Sequence, residues 1–445
     1  MRTFAVVLLG ILVVGWTGVA MSRPPADGVI TLDGRLNYPY LSSSGGRMFL
    51  QLSVSARDFI LPERRPLNLC VVLDRSGSMA DERKIDYAKK ALVALIDQLN
   101  SKDILSVVIY DDVVEVLCDA QHVRNKSRLK RQIQGIEPRG STNLGGGMIE
   151  GFRQVEYRLD REYVNRVVLL SDGLANQGIT DPGELNRIAR NYRSRSIALT
   201  TMGVGLEYNE NLMVGLSESG GGNYYFIESP RNLASIIRNE LNALSCVVAT
   251  NATIELTLGR NVRLVNVIGC EHRMESEHHV IQLGDLYASD DREITVELEV
   301  PEGAGSAVVA EGSLRYDKGE SRATKGPMFS ARVQYTRDVS TIEKHHDWDV
   351  QAKGEVATST ESVERAMKAL DEGRREDAAK EIAVAKQALS ASPAAVNASG
   401  AGQSALRDQA DRLGSYEEMV SGPADARQAK KSIQYRNYKT QKNKD

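Results

Sequence analysis

Two hydrophobic rhythms divide the chain. Near its start, Leu50, Leu52, Val54 and Ala56 fall on one side of an extended segment and Gln51, Ser53, Ser55 and Arg57 on the other, the two-residue period of a half-buried antiparallel strand. The same alternation returns at Ile254, Leu256 and Leu258 and at Ile294, Val296, Leu298 and Val300, with further strands expected over 262–268, 279–283, 307–316 and 327–335. So short an early segment cannot fold alone. The expectation is a discontinuous β-sandwich built from residues 28–62 plus 247–340; the competing reading leaves the N-terminal strand as a separate extension.

Between these halves the rhythm changes. Unbroken apolar runs, the mark of strands buried on both faces, alternate with helical periodicity. Strands are expected at 67–74, 104–110, 113–117, 166–171, 197–204 and 224–227, and helices at 85–99, 127–136, 144–159, 211–219 and 233–244. Asp181-Pro182-Gly183-Glu184 adds a further helix start with proline at its first position. This is an α/β pattern: a doubly wound, mostly parallel sheet over residues 66–246, inserted into the sandwich. Strand 113–117 follows 104–110 so closely that the two must pair antiparallel. Pro62-Glu63-Arg64-Arg65-Pro66 punctuates the boundary.

Beyond residue 335 a polar linker runs to 356. Val363, Ala366, Met367 and Leu370, then Ala379, Ile382, Ala385 and Leu389 after a break at Gly373, predict a C-terminal helical hairpin within 357–414, with room for a third helix through Leu413. Residues 415–445 end in a basic run, Arg427, Lys430, Lys431, Arg436, Lys439, Lys442 and Lys444, expected as a disordered tail able to touch an anionic envelope surface.

Composition changes this picture little. The 445 residues are 42% hydrophobic and carry a formal net charge of −3, enough for real cores and no reason to expect nucleic acid. Residues 1–20, with Arg2 before an apolar run and Gly18 and Ala20 near its end, have the layout of a secretory signal peptide. Export to the periplasm, cell surface or exterior is expected, with retention as an N-terminal membrane anchor as the alternative. Cys70, Cys118, Cys246 and Cys270 allow three disulfide pairings, and sequence does not choose among them.

The chemistry gathers at strand ends. The run Leu67-Asn-Leu-Cys-Val-Val-Leu-Asp-Arg-Ser-Gly-Ser-Met79 ends on Asp74, followed by Ser76 and Ser78 in a turn containing Gly77, just where open α/β sheets bind ligands. Thr142 and Asn143 lie in Gly140-Ser-Thr-Asn-Leu-Gly-Gly-Gly147, and a second buried run ends Ser171-Asp172-Gly173. Oxygen donors of mixed charge suit a hard divalent cation, magnesium, manganese or calcium. Here the sequence resembles the von Willebrand factor type A domain, whose metal-ion-dependent adhesion site combines Asp-x-Ser-x-Ser with a loop threonine and a later aspartate. The resemblance implies that Asp74, Ser76, Ser78, Thr142 and Asp172 hold the metal, usually magnesium, with Gly77, Asn143 and Gly173 on the rim. It implies a protein partner whose Asp or Glu closes the coordination shell, and coupling of that event to movement of the last helix, 233–244.

Other chemistries lack parts. Gly145-Gly146-Gly147 is followed by Met148 and Ile149 instead of the Lys-Ser/Thr of a phosphate loop. Ser76 has no Gly-x-Ser-x-Gly setting, and His122 is the single histidine in 66–246. Cys270, His272, His278 and His279 match no zinc spacing. The expected protein is a non-enzymatic, metal-dependent binding or assembly protein. A metal-independent envelope scaffold is one alternative; a metal-dependent hydrolase using Asp111, Asp112 or Asp181 as base is another.

Overall fold

The computed structural model describes residues 30–56, 64–318, 321–422 and 425–442. The expected signal segment 1–20 and residues 62 and 63 of the proline-marked boundary lie outside them. Three strands open the described chain, β1 (Ile30–Leu36), β2 (Tyr40–Ser42) and β3 (Gly46–Ala56). The α/β unit follows: β4 (Leu67–Asp74), α1 (Lys84–Gln98), β5 (Ile104–Tyr110), β6 (Val114–His122), α2 (Lys126–Gln134), α3 (Leu144–Tyr157), β7 (Val164–Ser171), α4 (Pro182–Arg193), β8 (Ala198–Val204), α5 (Glu210–Gly220), β9 (Gly221–Ile227) and α6 (Leu233–Ser245).

Its sheet runs β6-β5-β4-β7-β8-β9. All neighbours are parallel except β6, which pairs antiparallel with β5 as the short connection requires. Strand β4 is buried along its whole length and alternates between two cores. Leu67, Leu69, Val71 and Leu73 pack with α1, α2 and α6, while Cys70 and Val72 pack with α3, α4 and α5. Because β5 and β7 flank β4 on opposite sides, the crevice of the sheet opens at the C-terminal end of β4.

Seven strands complete the β unit: β10 (Val247–Leu258), β11 (Arg263–Ile268), β12 (His272–Glu275), β13 (His278–Tyr287), β14 (Asp291–Val300), β15 (Ser306–Lys318) and β16 (Ser321–Thr336). They join the three early strands in two sheets, β1-β3-β14-β11 and β12-β13-β10-β15-β16-β2. Leu50, Leu52 and Val54 of one sheet share a core with Ile254, Leu256 and Leu314 of the other. The early strands thus do find partners far downstream, β3 lying against β14 from Gly46↔Val300 to Ser55↔Asp291.

The C-terminal region is helical as expected, with the hairpin and a third helix in place, but the helices extend further than the sequence suggests. The linker expected through 356 is helical: α7 (Val339–Lys344) is followed by α8 (Trp348–Asp371), then α9 (Arg375–Ala391), α10 (Ala394–Asn397) and α11 (Gly400–Ser421). Helix α8 is capped by Asp347, whose carboxylate accepts the Val350 amide. It lies on the outer face of β3, and Gly354 admits the Phe49 ring. Gln51, on the face expected to meet solvent, is buried there and accepts from Thr295 Oγ1 at 3.0 Å. The expected disordered tail is instead helix α12 (Ala426–Gln441), with Lys430, Lys431 and Tyr438 buried. Among the described residues no helix is long and apolar enough to cross a membrane. All four cysteines are free thiols.

Candidate functional site

Parallel register sets the site. Asp74 stands opposite Tyr110 on β5, and Leu73 opposite Leu170 on β7, so the ends of three strands bring Asp74, Tyr110, Ser171 and Asp172 together. Asp74 is fully buried. Its Oδ1 accepts the Ser76 amide at 2.8 Å, and its Oδ2 accepts Ser171 Oγ at 2.7 Å and Tyr110 OH at 3.3 Å. Burial pushes the carboxyl up to about 6, against the opposing pull of the Ser76 and Ser171 hydrogen bonds.

The turn after β4 continues the cluster. Ser76 Oγ and Ser78 Oγ are 3.2 Å apart, and Ser78 Oγ donates to Asp172 Oδ1 at 2.9 Å. The other oxygen of Asp172 accepts Lys84 Nζ at 2.8 Å. Thr142 reaches the same place from the loop before α3. A Cβ built on Gly173 would lie 3.3 Å from Thr142 Oγ1 and 3.7 Å from Ser78 Oγ, so both hydroxyls border one small space beside Asp172. The structure therefore brings Asp74, Ser76, Ser78, Thr142 and Asp172 to one strand-end crevice.

Backbone contacts fix the Thr142 loop against the first turn. Gly77 N donates to Gly140 O at 3.2 Å, Arg139 N to Arg75 O at 2.7 Å, and Asn143 N to Asp111 O at 2.8 Å. From the far side Asn176 Oδ1 accepts the Thr142 amide at 3.0 Å. The glycines that follow belong to helix α3. At Gly147 a Cβ would stand 2.6 Å from the Tyr110 ring, and at Gly151 2.3 Å from Val72, so these residues let α3 settle directly on the sheet.

Of the expected rim, Gly77 is exposed and Gly173 faces the hydroxyl pair. Asn143 also has a structural role: its Oδ1 caps α3, accepting the Gly146 amide at 3.0 Å. The three acids considered as bases are also placed. Asp111 is buried between Arg75 Nε at 2.8 Å and Arg139 Nε at 2.7 Å; burial raises its carboxyl, but these arginines and the Val113 amide hold it below the usual range. Asp181 caps α4 through the Glu184 amide at 2.7 Å, and Asp112 is exposed beside Gly140. His272 and His279 have ring centroids 6.4 Å apart, and no His/Cys/Asp/Glu cluster able to hold a metal forms among the described residues.

Four residues escaped sequence reasoning. Ser171 immediately precedes Asp172, and its place at a strand end was a usable signal. Tyr110 reads as an ordinary apolar strand residue. Lys84 lies in the charged run Asp81-Glu82-Arg83-Lys84, which looks like a solvated helix start. Asn176 sits in an undistinguished loop.

A family model for the von Willebrand factor type A domain matches residues 68–239. The chain is 27% identical over 339 residues to uncharacterized protein sll0103 of Synechocystis, covering 72% of this chain and 79% of that protein. It is 26% identical over 276 residues to uncharacterized protein YfbK of Escherichia coli, covering 61% of this chain and 47% of the relative, so it spans about half of YfbK. Human inter-alpha-trypsin inhibitor heavy chain H3 is 27% identical over 166 residues, 18% of its length. Two solved structures are similar over 94% of the chain: a von Willebrand factor type A protein from Catenulispora acidiphila, at TM-score 0.71 and 15% identity, and the ArnB paralog VWA2 from Sulfolobus acidocaldarius, at TM-score 0.64 and 17% identity. At such identity the likeness is one of fold, and it takes in nearly the whole chain. Strand order, crevice and family match agree: this chain carries a von Willebrand factor type A domain, a module that generally mediates protein interactions.

Proposed function

We propose that the protein binds another protein through a divalent cation, magnesium by preference, held at the end of β4. The observation that carries this reading is the convergence of five oxygen-bearing side chains, Asp74, Ser76, Ser78, Thr142 and Asp172, from three separate segments onto one crevice. Asp74 adds a second argument. It is a buried carboxylate that accepts hydrogen bonds from the Ser76 amide and the Ser171 and Tyr110 hydroxyls, all of them neutral. A buried charge with only neutral company favours a nearby cation.

The donor set fits a hard ion. Ser76, Ser78 and Thr142 offer neutral oxygens, and Asp74 and Asp172 offer charge, directly or through water. When bound, such an ion supplies a Lewis-acidic position for an oxygen ligand from outside. The chain's own residues hold the crevice open on its Gly77 side and fix the hydroxyls around it. An acidic side chain of a protein partner is the ligand whose charge and hardness suit that position. Export, to the periplasm, the cell surface or the exterior, belongs to the same reading and rests on residues 1–20 alone. Binding is favoured over hydrolysis because Asp111 and Asp181 are engaged in ion pairs and a helix cap.

The test is an array of Asp- and Glu-containing peptides probed with the full chain in magnesium and in chelator, with Thr142→Ala and Asp74→Ala as controls. Binding that needs magnesium and the peptide's acid, and that both variants lose, is the expected result. Binding that persists in chelator would establish the scaffold reading instead.

A further inference from the structure

We propose that Lys84 is a specificity-setting residue of this site, a fixed internal cation that weakens divalent-metal binding by the free protein and leaves the loaded crevice positive, so that firm loading requires an anionic ligand. This rests on the metal reading above. Lys84 is the first residue of α1 and is almost wholly buried, its ammonium 2.8 Å from Asp172 Oδ2. Three features oppose that placement. A cation sits at the positive end of a helix dipole; an ammonium leaves water; and the chain reaches it through two successive non-glycine residues in the left-handed region, Glu82 at φ 50° and Arg83 at φ 58°.

What offsets them is Asp172. Gly205 borders the slot: its φ is 74°, and a Cβ there would lie 3.3 Å from Lys84 Cε and 3.5 Å from Nζ. The ammonium is therefore buried beside the crevice and paired with Asp172, unlike a surface lysine.

The charges then decide the behaviour. With both carboxylates ionised, Asp74 and Asp172 contribute two negative charges and Lys84 one positive. A divalent ion would bring the cluster to a net charge of plus one, where the two carboxylates alone would bring it to zero. In a buried site such a surplus repels the metal and attracts an anion. Metal and carboxylate ligand should accordingly bind cooperatively, each strengthening the other by the same factor.

The experiment measures Mn2+ affinity by electron paramagnetic resonance, with and without excess acetate, for the full chain and for K84Q, K84R and D74A. Acetate should tighten Mn2+ binding by wild type. K84Q should bind Mn2+ about tenfold tighter than wild type in the absence of acetate and gain little from it, while K84R behaves as wild type. Thermal denaturation gives an independent readout: K84Q should melt lower than wild type without metal and be raised more by Mn2+. If K84Q does not fold alone, recovery on refolding in Mn2+ supports the proposal and failure to recover overturns it. Binding that D74A abolishes but K84Q leaves unchanged overturns the role of Lys84 alone. Absence of Mn2+ binding in wild type and K84Q alike overturns the metal reading together with it.

Discussion

Asp74 and Asp172 stand on neighbouring strand ends, both fully buried, yet one accepts hydrogen bonds from neutral groups and the other also from an ammonium. For Asp74 the hydrogen bond from Ser171 Oγ at 2.7 Å is the shortest of its contacts and opposes the effect of burial. In S171A, with no metal present, that opposition is lost. Hydrogen bonds to charged groups contribute about 1.5–3 kcal/mol, and urea denaturation should find a loss of that order at neutral pH. The sign with pH follows from the direction of the shift. A carboxyl raised to about 6 in the folded state costs stability while it is charged, so the metal-free protein gains as pH falls through about 6. The S171A deficit should be largest above that value and shrink below it; a deficit independent of pH would point to packing. The same residues show how much of the site could be read in advance. Asp74, Ser76, Ser78, Thr142 and Asp172 were legible because each ends a strand or opens a loop in a fixed order. Lys84 was not, because nothing in Asp81-Glu82-Arg83-Lys84 reveals that two left-handed residues turn the fourth inward. The capping role of Asn143 was not singled out, because a cap and a rim residue have the same composition.

Elements with a single strong periodicity were legible, and those defined by what covers them were not. Strand β4 has the bounds its apolar run suggests, but Gln51 is buried because α8 arrives from 300 residues downstream to cover β3. Helix α12 is the sharpest case. Its basic residues read as solvated, yet Lys431 donates to Tyr208 O and to Glu210, and Lys430 pairs with both Glu210 and Asp371. Tyr438 lies edge-on to Tyr224 and accepts its amide, and Tyr435 meets Tyr224 and Phe226. Charge repulsion within the helix is thus answered by acids far away in sequence, which no local pattern records. Burial raises the Glu210 carboxyl, but Lys430 and Lys431 more than reverse it and hold it below the usual range. A depressed carboxyl contributes stability that is complete above its unfolded value and lost as pH falls through the folded one. Acid should therefore release α12 from α5 and β9, seen as loss of the near-ultraviolet dichroism of Tyr435 and Tyr438. In E210Q the two lysines lose their shared partner at any pH, and trypsin should cut at Lys430 and Lys431 under conditions where wild type resists.

At the scale of the whole molecule, the α/β domain meets the β unit through the Arg190–Glu271 ion pair, the Ser196–Asp317 hydrogen bond and, among the described residues, a buried charge cluster centred on Arg166. Helix α6 passes into β10 through Cys246 alone, so any displacement of α6 acts directly on the larger sheet. Across the junction Arg166, on β7 and wholly buried, donates to Asp285 of β13 and to Thr200 Oγ1 at 3.0 Å, with Glu240 of α6 3.9 Å away. Glu240 is itself held by the Thr200 and Tyr225 hydroxyls and by Asn223 Nδ2 at 2.6, 2.7 and 2.8 Å. One guanidinium therefore ties together the central sheet, the last helix of the domain and the sheet outside it. Arg166→Met would leave Asp285 buried without this partner, and removing one member of a buried pair costs about 3–5 kcal/mol. Calorimetry should show wild type melting as one cooperative unit and R166M melting lower, with the β unit and the α/β domain separating into two transitions. Adding Asp285→Leu should recover part of the loss, because it removes the carboxylate that Arg166→Met strands on β13 while Glu240 stays buried without its nearby cation. Since Glu240 would keep only its three neutral donors, the double variant should stay below wild type in stability and should not restore the link to α6. If R166M melts as wild type does, the two units are joined by their chain connections and surface contacts, and movement of α6 would reach the β unit through Cys246 alone.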